Sequence, residues 1–237
     1  MLLSKKFVND YTKIDDLDIN EYADGMLKLG NEYDSITPLI KANKLIIGEV
    51  IDSHDMEESD HLHVCKVDIG SEVLNIVCGA PNVRKGIKVI VALDGAVLPG
   101  GVIKKSTILG YESNGMICSL AELGLDSKFL SEQDIKGIHE LDEFAVIGED
   151  PIKYLELDDT VIDFELTANR ADLQSMLGLA YESAAITGRE VTLPETSYEE
   201  VKENINNLLN LKVETDNAYT FLLKRVNNIK IEESPIF

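Results

Sequence analysis

Residues 45–125 read LIIGEVIDSHDMEESDHLHVCKVDIGSEVLNIVCGAPNVRKGIKVIVALDGAVLPGGVIKKSTILGYESNGMICSLAELGL, a succession of short β-branched runs cut at close intervals by Gly, Pro, Asn and Asp. Such runs bounded by turn residues predict strands at Ile46–Asp52, His63–Ile69, Val73–Cys78, Val89–Leu93 and Thr107–Ser119. Five short strands in so little chain suggest closure into a small barrel, because closure removes the exposed edges of the sheet.

On the N-terminal side, Ser4 is a candidate N-cap for a short helix through Tyr11. Asp18 with Glu21 three residues on reads as a capping box for a second helix that Gly30 closes. Glu32–Leu39 reads as a strand leading into the barrel. These forty residues are too few to bury a core alone. Their complement follows the barrel: Val161–Thr167 alternates as a strand, and Asn169 is placed to cap a helix striped by Leu173, Met176, Leu177, Ala180 and Ala184 and ended by Gly188. The reading is α+β and multidomain, with residues 1–40 plus 150–192 as one split domain. A five-stranded barrel at 41–149 is inserted in it, and the start of a further α+β domain occupies 193–237. The acidic stretch Ser127–Asp150 is the return connection. In the last unit a helix is expected from Ser197 and Glu200, with strands at Leu211–Asp216 and Thr220–Ile231. Val226, Ile229 and Ile231 have little following sequence to cover them, so the chain reads as cut inside that domain.

The 237 residues carry 43 acidic and 22 basic side chains, a net charge of −21. That excludes a generic polyanion binder. Cys65, Cys78 and Cys118 sit in apolar runs without CxxC spacing and predict a reducing, cytoplasmic setting. No stretch has signal-peptide or membrane-span character.

Against the global sign, residues 79–111 hold five basic side chains and one acid, Asp94. Arg84, Lys85, Lys88, Lys104 and Lys105 fall in loops or at strand ends. Loops rimming a five-stranded Greek-key barrel are where such folds meet oligonucleotides, so these five are candidate phosphate contacts. Ser113, Asn114 and Ser119, around a tight Asn-Gly turn, are candidate neutral hydrogen-bonding groups. His61, His63 and Cys65 alternate on one strand, but Val67 and Ile69 continue their face, which favours packing over a metal site. No nucleophile motif, Walker loop or paired-carboxylate pattern stands out, and Asn169–Asp172 reads as a helix cap.

Three blocks in fixed order carry a family resemblance. HLHVCKVDIG (61–70), IVCGAPNVRKG (76–86), LPGG (98–101) and SNGMICSLAELGL (113–125) together resemble the OB-type tRNA-binding domain of synthetase-associated proteins. FVNDYTKIDDLDINEYADGMLKLGNEYD (7–34) before it and ELTANRADLQSMLGLAYESAAITGREV (165–191) after it resemble the N-terminal region of the bacterial phenylalanyl-tRNA synthetase β-subunit family. Residues 219–237 resemble the opening of that family's next, larger domain, in the editing region. The resemblance implies an aminoacyl-tRNA synthetase, a ligase of protein biosynthesis that joins phenylalanine to tRNA(Phe) with ATP and magnesium. It implies a heterotetramer of two α and two β chains, with catalysis on the α subunit. It therefore implies tRNA and α-subunit partners, no DNA or membrane partner, and no catalytic or metal residue and no cofactor in this fragment. The alternative is a stand-alone OB-fold tRNA-binding module or a protein-interaction scaffold, which the coding sequence past Phe237 would separate from the ligase.

Overall fold

The computed structural model describes residues 1–231, the side chain of residue 129 apart. It opens with β1 (Leu2–Ser4) and α1 (Lys5–Tyr11). Ser4 keeps extended backbone angles while its Oγ accepts the Phe7 N–H at 3.0 Å, the geometry of an N-cap. α2 (Ile19–Lys28) starts where Asp18 Oδ1 accepts from the Asn20 and Glu21 N–H groups at 2.9 and 3.1 Å. It stops where Gly30 turns left-handed, at φ 87°. β2 (Glu32–Pro38) follows.

The middle of the chain forms β3 (Leu45–Asp55), β4 (His63–Asp68), β5 (Val73–Cys78) and β6 (Lys88–Leu93). Next come β7 (Val97–Leu98), β8 (Gly101–Val102), β9 (Ser106–Ile108), β10 (Tyr111–Ser113) and β11 (Gly115–Cys118). The main sheet has the order β11–β6–β3–β4–β5. It curls because β3 changes partner along its length. Leu45–Glu49 pairs with β6, and Glu49–Asp55 pairs with β4 across a bulge after Val50. Gly48 stands where the two pairings meet. A Cβ there would lie 2.7 Å from Val67 Cγ1 and 3.0 Å from Val91 Cγ2, so only glycine permits so tight a coil. The curl brings the edges β5 and β11 together. The Asn114 N–H donates to the Asn75 carbonyl at 2.8 Å, and Ser113 Oγ accepts the Val77 N–H at 3.1 Å. The expected strand over Thr107–Ser119 is broken into three pieces, because Leu109 and Gly110 (φ 50° and 91°) turn β9 back on β10.

The remaining elements are α3 (Glu132–Lys136), β12 (Glu140–Leu141), α4 (Pro151–Tyr154), β13 (Thr160–Glu165) and α5 (Met176–Thr187). β13 lies between β1 and β2 in a three-stranded antiparallel sheet. Its core joins Leu3, Val8, Tyr22 and Met26 to Ile162, Phe164, Leu173 and Leu179, each such buried side chain contributing roughly 1.5–3 kcal/mol. A second core, including Val50, Val67, Ile76, Val89 and Val91, fills the inside of the curled sheet. A third, including Ile47, Ile90, Ala92, Cys118 and Leu141, covers its outside. β6 is thus buried on both faces, which explains its uninterrupted apolar run.

α5 begins later than its sequence predicts. Its N-cap is Ser175, whose Oγ accepts the Gly178 N–H at 3.1 Å, and residues 171–174 form a 3₁₀ turn instead. Arg170, just before the turn, pairs with both Asp172 and Glu182.

Residues 193–237 form a separate unit. Among its described residues there is one 3₁₀ turn, Ile205–Asn207, and neither the helix expected from Ser197 nor the strands expected at 211–216 and 220–231. Apolar side chains such as Leu222, 86% exposed, find no partner there, and strands without a packed face are marginal in water. The final SPIF segment lies outside the described residues.

Candidate nucleic-acid interface

The basic residues expected to make one rim divide between the two ends of β6. Its six residues rise about 3.3 Å each, separating the groups by roughly 17 Å. At the first end, Arg84 is held in a two-pronged pair with Glu140, Nη1–Oε1 and Nη2–Oε2 both 2.7 Å. The guanidinium holds the Glu140 carboxyl below its ordinary pKa. Lys88 donates from Nζ to the Glu143 and Ala145 carbonyls at 2.6 and 2.7 Å. Both cations therefore fasten the acidic return segment to the sheet. Asn82 does the same with its amide: Nδ2 donates to the Ile138 carbonyl at 2.8 Å, and Oδ1 accepts the Ile138 N–H at 3.0 Å. Lys85 alone of this group is exposed with no ion pair or hydrogen bond among the described residues.

At the other end of β6, Lys104 and Lys105 are exposed beside the Asp94–Gly95 turn. The Lys105 N–H donates to Asp94 Oδ1 at 3.1 Å, and the Gly95 N–H to the Ile103 carbonyl at 2.8 Å. The segment before β3 packs on the same turn. The Leu93 N–H donates to the Lys44 carbonyl at 3.1 Å, and the Val97 N–H to Asn43 Oδ1 at 2.9 Å. Lys44 Nζ lies 2.9 Å from where a Cβ of Gly95 would stand. Lys41 and Lys44 were missed in sequence because roughly sixty residues separate them from Lys104. No local signal links them; the link is the long-range pairing of β3 with β6, whose register sets Leu45 opposite Ala92.

The neutral candidates are engaged internally. Ser113 is buried and bridges the Val77 N–H and the Gly115 carbonyl. The Asn114 backbone joins the sheet edges. Ser119 Oγ donates to Glu122 Oε2 at 2.8 Å, closing a local turn.

The β3–β4 loop has the opposite sign. Glu57, Glu58, Asp60 and His61, with Leu109 at the tip of the β9–β10 hairpin, line an open concavity of about 630 Å³. Glu58 pushes the Tyr111 hydroxyl above its ordinary pKa. His61 and His63 each lie against an aspartate, Asp60 at 2.7 Å and Asp55 at 3.0 Å. Cys65 is buried, its Sγ 3.6 Å from Ser53 Oγ. Among the described residues no three His, Cys, Asp or Glu side chains converge as metal donors. Burial pushes the Cys78 and Cys118 thiols up to about 11 and about 12, which keeps them protonated and unreactive. The polar corner at 169–172 is a structural tie. Arg170 Nη2 reaches Glu182 Oε1 at 2.7 Å and Asp172 Oδ2 at 3.0 Å, and Asn31 Nδ2 donates to Glu182 Oε2 at 2.8 Å.

A family model described as a putative tRNA binding domain matches residues 45–150. The chain is 42% identical over 237 residues to the phenylalanine–tRNA ligase beta subunit of Streptococcus pneumoniae, covering 99% of this chain and 29% of that protein. It is 41% identical over 241 residues to that of Bacillus subtilis, covering 100% and 30%. The chain thus spans about three-tenths of the length of these relatives. Among solved structures, a MetRS-related protein from Pyrococcus horikoshii aligns with 44% of this chain and 84% of its own, at 21% identity and a TM-score of 0.32.

Proposed function

The chain is related over its whole length to phenylalanine–tRNA ligase β subunits and carries their putative tRNA-binding domain; from that premise we propose that it is the N-terminal region of such a subunit, contributing tRNA binding and architecture rather than chemistry. The observation that carries the reading is the coincidence of the 45–150 match with the curled sheet and the layer that covers it. The sheet order β11–β6–β3–β4–β5, with its outer strands joined, supports an OB-type barrel. The division into 1–40 plus 150–192, 41–149 and 193–237 is supported in outline by the first core, which draws only on residues before 37 and after 161, and by the separate unit after Thr192, while Ile40 and residues 152–157 pack with the barrel's outer core.

In this proposal the whole enzyme, a cytoplasmic heterotetramer of two α and two β subunits, attaches phenylalanine to tRNA(Phe) with ATP and magnesium. Among the described residues no set of His, Cys, Asp and Glu side chains converges to hold a metal ion. Of the five cations expected from the sequence, Lys104 and Lys105 face solvent together and are the ones assigned to phosphate, while Lys85 stands alone at the other end of β6 and is not. Arg84, Lys88, Ser113 and Ser119 hold the fold, and Asn114 contributes through its backbone.

The test replaces residues 45–150 of the full-length subunit, assembled with its α partner, by a short linker. Phenylalanine-dependent pyrophosphate exchange is expected to persist while the KM for tRNA rises. Loss of exchange with no change in KM for tRNA would overturn the reading.

A further inference from the structure

Resting on the tRNA-binding reading, we propose that the RNA contact of this region is a four-lysine corner, Lys41, Lys44, Lys104 and Lys105, that grips backbone phosphates without reading sequence. The three chain segments that carry these residues, 41–44, 93–97 and 101–105, are bonded into one unit. The Asn43 N–H donates to the Val97 carbonyl at 3.2 Å, the Leu93 N–H to the Lys44 carbonyl at 3.1 Å, and the Ile103 N–H to the Ala96 carbonyl at 2.8 Å. All four lysines are exposed, and none has an ion pair or side-chain hydrogen bond among the described residues. The one carboxylate inside the corner is Asp94, whose Oδ1 accepts the Lys105 N–H, and it leaves the corner net positive. Glu122, on the neighbouring groove formed by residues 98–103 and Met116, is tied to Ser119.

The alternatives within the curled sheet are poorer. The β5–β6 loop has its arginine neutralised by Glu140. The β3–β4 loop, which in folds of this shape belongs to the oligonucleotide face, presents Glu57, Glu58 and Asp60. A polyanion is repelled there. The body's −21 charge does not cancel the corner at working ionic strength, because exposed charges beyond about 8 Å are largely screened at 0.15 M salt.

The chemistry of the corner also limits what it recognises. Segments 41–44, 93–98 and 101–105 contain no aromatic ring on which a base stacks, and the Asn43 amide oxygen is held by the Val97 N–H. Ammonium groups alone position a nucleic acid by its phosphates, whereas selection requires contacts to base edges. The corner therefore holds tRNA in place and leaves the choice of tRNA to other parts of the enzyme.

The experiment measures binding of tRNA(Phe) and of an unrelated tRNA transcript to the 237-residue chain across a salt series. It compares wild type, a K41Q/K44N/K104Q/K105Q variant and an R84Q/K85Q variant. Asn is used at 44 because Lys44 has φ 51°, a conformation Asn tolerates. Circular dichroism melts confirm that both variants fold. The corner variant is expected to lose roughly 3 from the log–log salt slope and to bind at least about tenfold more weakly at 0.1 M salt, equally for both tRNAs. R84Q/K85Q is expected to change little. Loss in R84Q/K85Q with retention in the corner variant, equal loss in both, or a corner effect confined to tRNA(Phe) would overturn the inference while leaving the tRNA-binding reading intact. Absence of wild-type binding at low salt would remove both.

Discussion

Replacing Asn82 by Ala perturbs the join between the acidic return segment and the curled sheet. The Asn82 amide satisfies both backbone groups of Ile138, at 2.8 and 3.0 Å, and Ile138 itself is buried. A buried backbone group left without a partner costs about 1–3 kcal/mol. Two such groups, partly relieved by entering water, give a loss of about 2–3 kcal/mol. The third bond of the amide, to Glu140 at 3.1 Å, adds little because Glu140 keeps Arg84. The effect is local, so a local probe is needed: amide hydrogen exchange across 131–145. A loss of that size speeds exchange of the Ile138 amide about 30- to 150-fold. The amides of β13 and α5, in a different core, keep their rates. Gly137→Ala acts on the same contact from the other side, since its Cβ would stand 2.2 Å from Asn82 Oδ1. Exchange at Ile138 within about threefold of wild type in Asn82→Ala would refute the reasoning that this amide holds the layer.

Three further outcomes follow from the structure. Gly178→Ala, which in an ordinary helix stabilises by about 1 kcal/mol, is expected to lower the melting temperature, because its Cβ would lie 2.0 Å from the Asp172 carbonyl oxygen; a raised melting temperature would contradict the packing of the 3₁₀ turn. Burial raises Cys78 to about 11, Cys118 to about 12 and Tyr22 to about 12. Folding therefore favours their protonated forms, and stability is full below about pH 9 and declines as pH rises from there toward 12. Urea midpoints measured from pH 7 to 11 check this, and a midpoint flat to pH 11 would contradict it. Arg170→Ala leaves Glu182, 19% exposed, with Asn31 alone, whereas Arg84→Ala leaves the more open Glu140, 33% exposed, with Asn82; thermal melts are expected to show the larger loss for Arg170→Ala.

The parts of the fold legible in sequence are those decided by neighbours along the chain. The strands at 45–55, 63–68, 73–78 and 88–93 are β-branched runs between turn residues, and Ser4, Asp18 and Gly188 act as caps where their local chemistry places them. Long-range contacts decided the rest. α5 starts at Met176, capped by Ser175 after a 3₁₀ turn, and Arg170 just before that turn reaches Glu182, twelve residues on. The apolar runs after Leu193 form no strands among the described residues because nothing there pairs with them. The basic rim failed as a single surface for the same reason. Glu140, fifty-six residues from Arg84, neutralises one end, and Lys41 and Lys44 join the other end only through the pairing of β3 with β6.

The central claim, that this chain holds tRNA by phosphates on an otherwise acidic body, is tested most directly by a salt titration of tRNA binding to the 237-residue wild-type chain. The account predicts saturable binding at low salt whose log–log slope corresponds to roughly four phosphate contacts and is the same for tRNA(Phe) and an unrelated tRNA. Binding indifferent to salt, or no binding at the lowest salt, would contradict it.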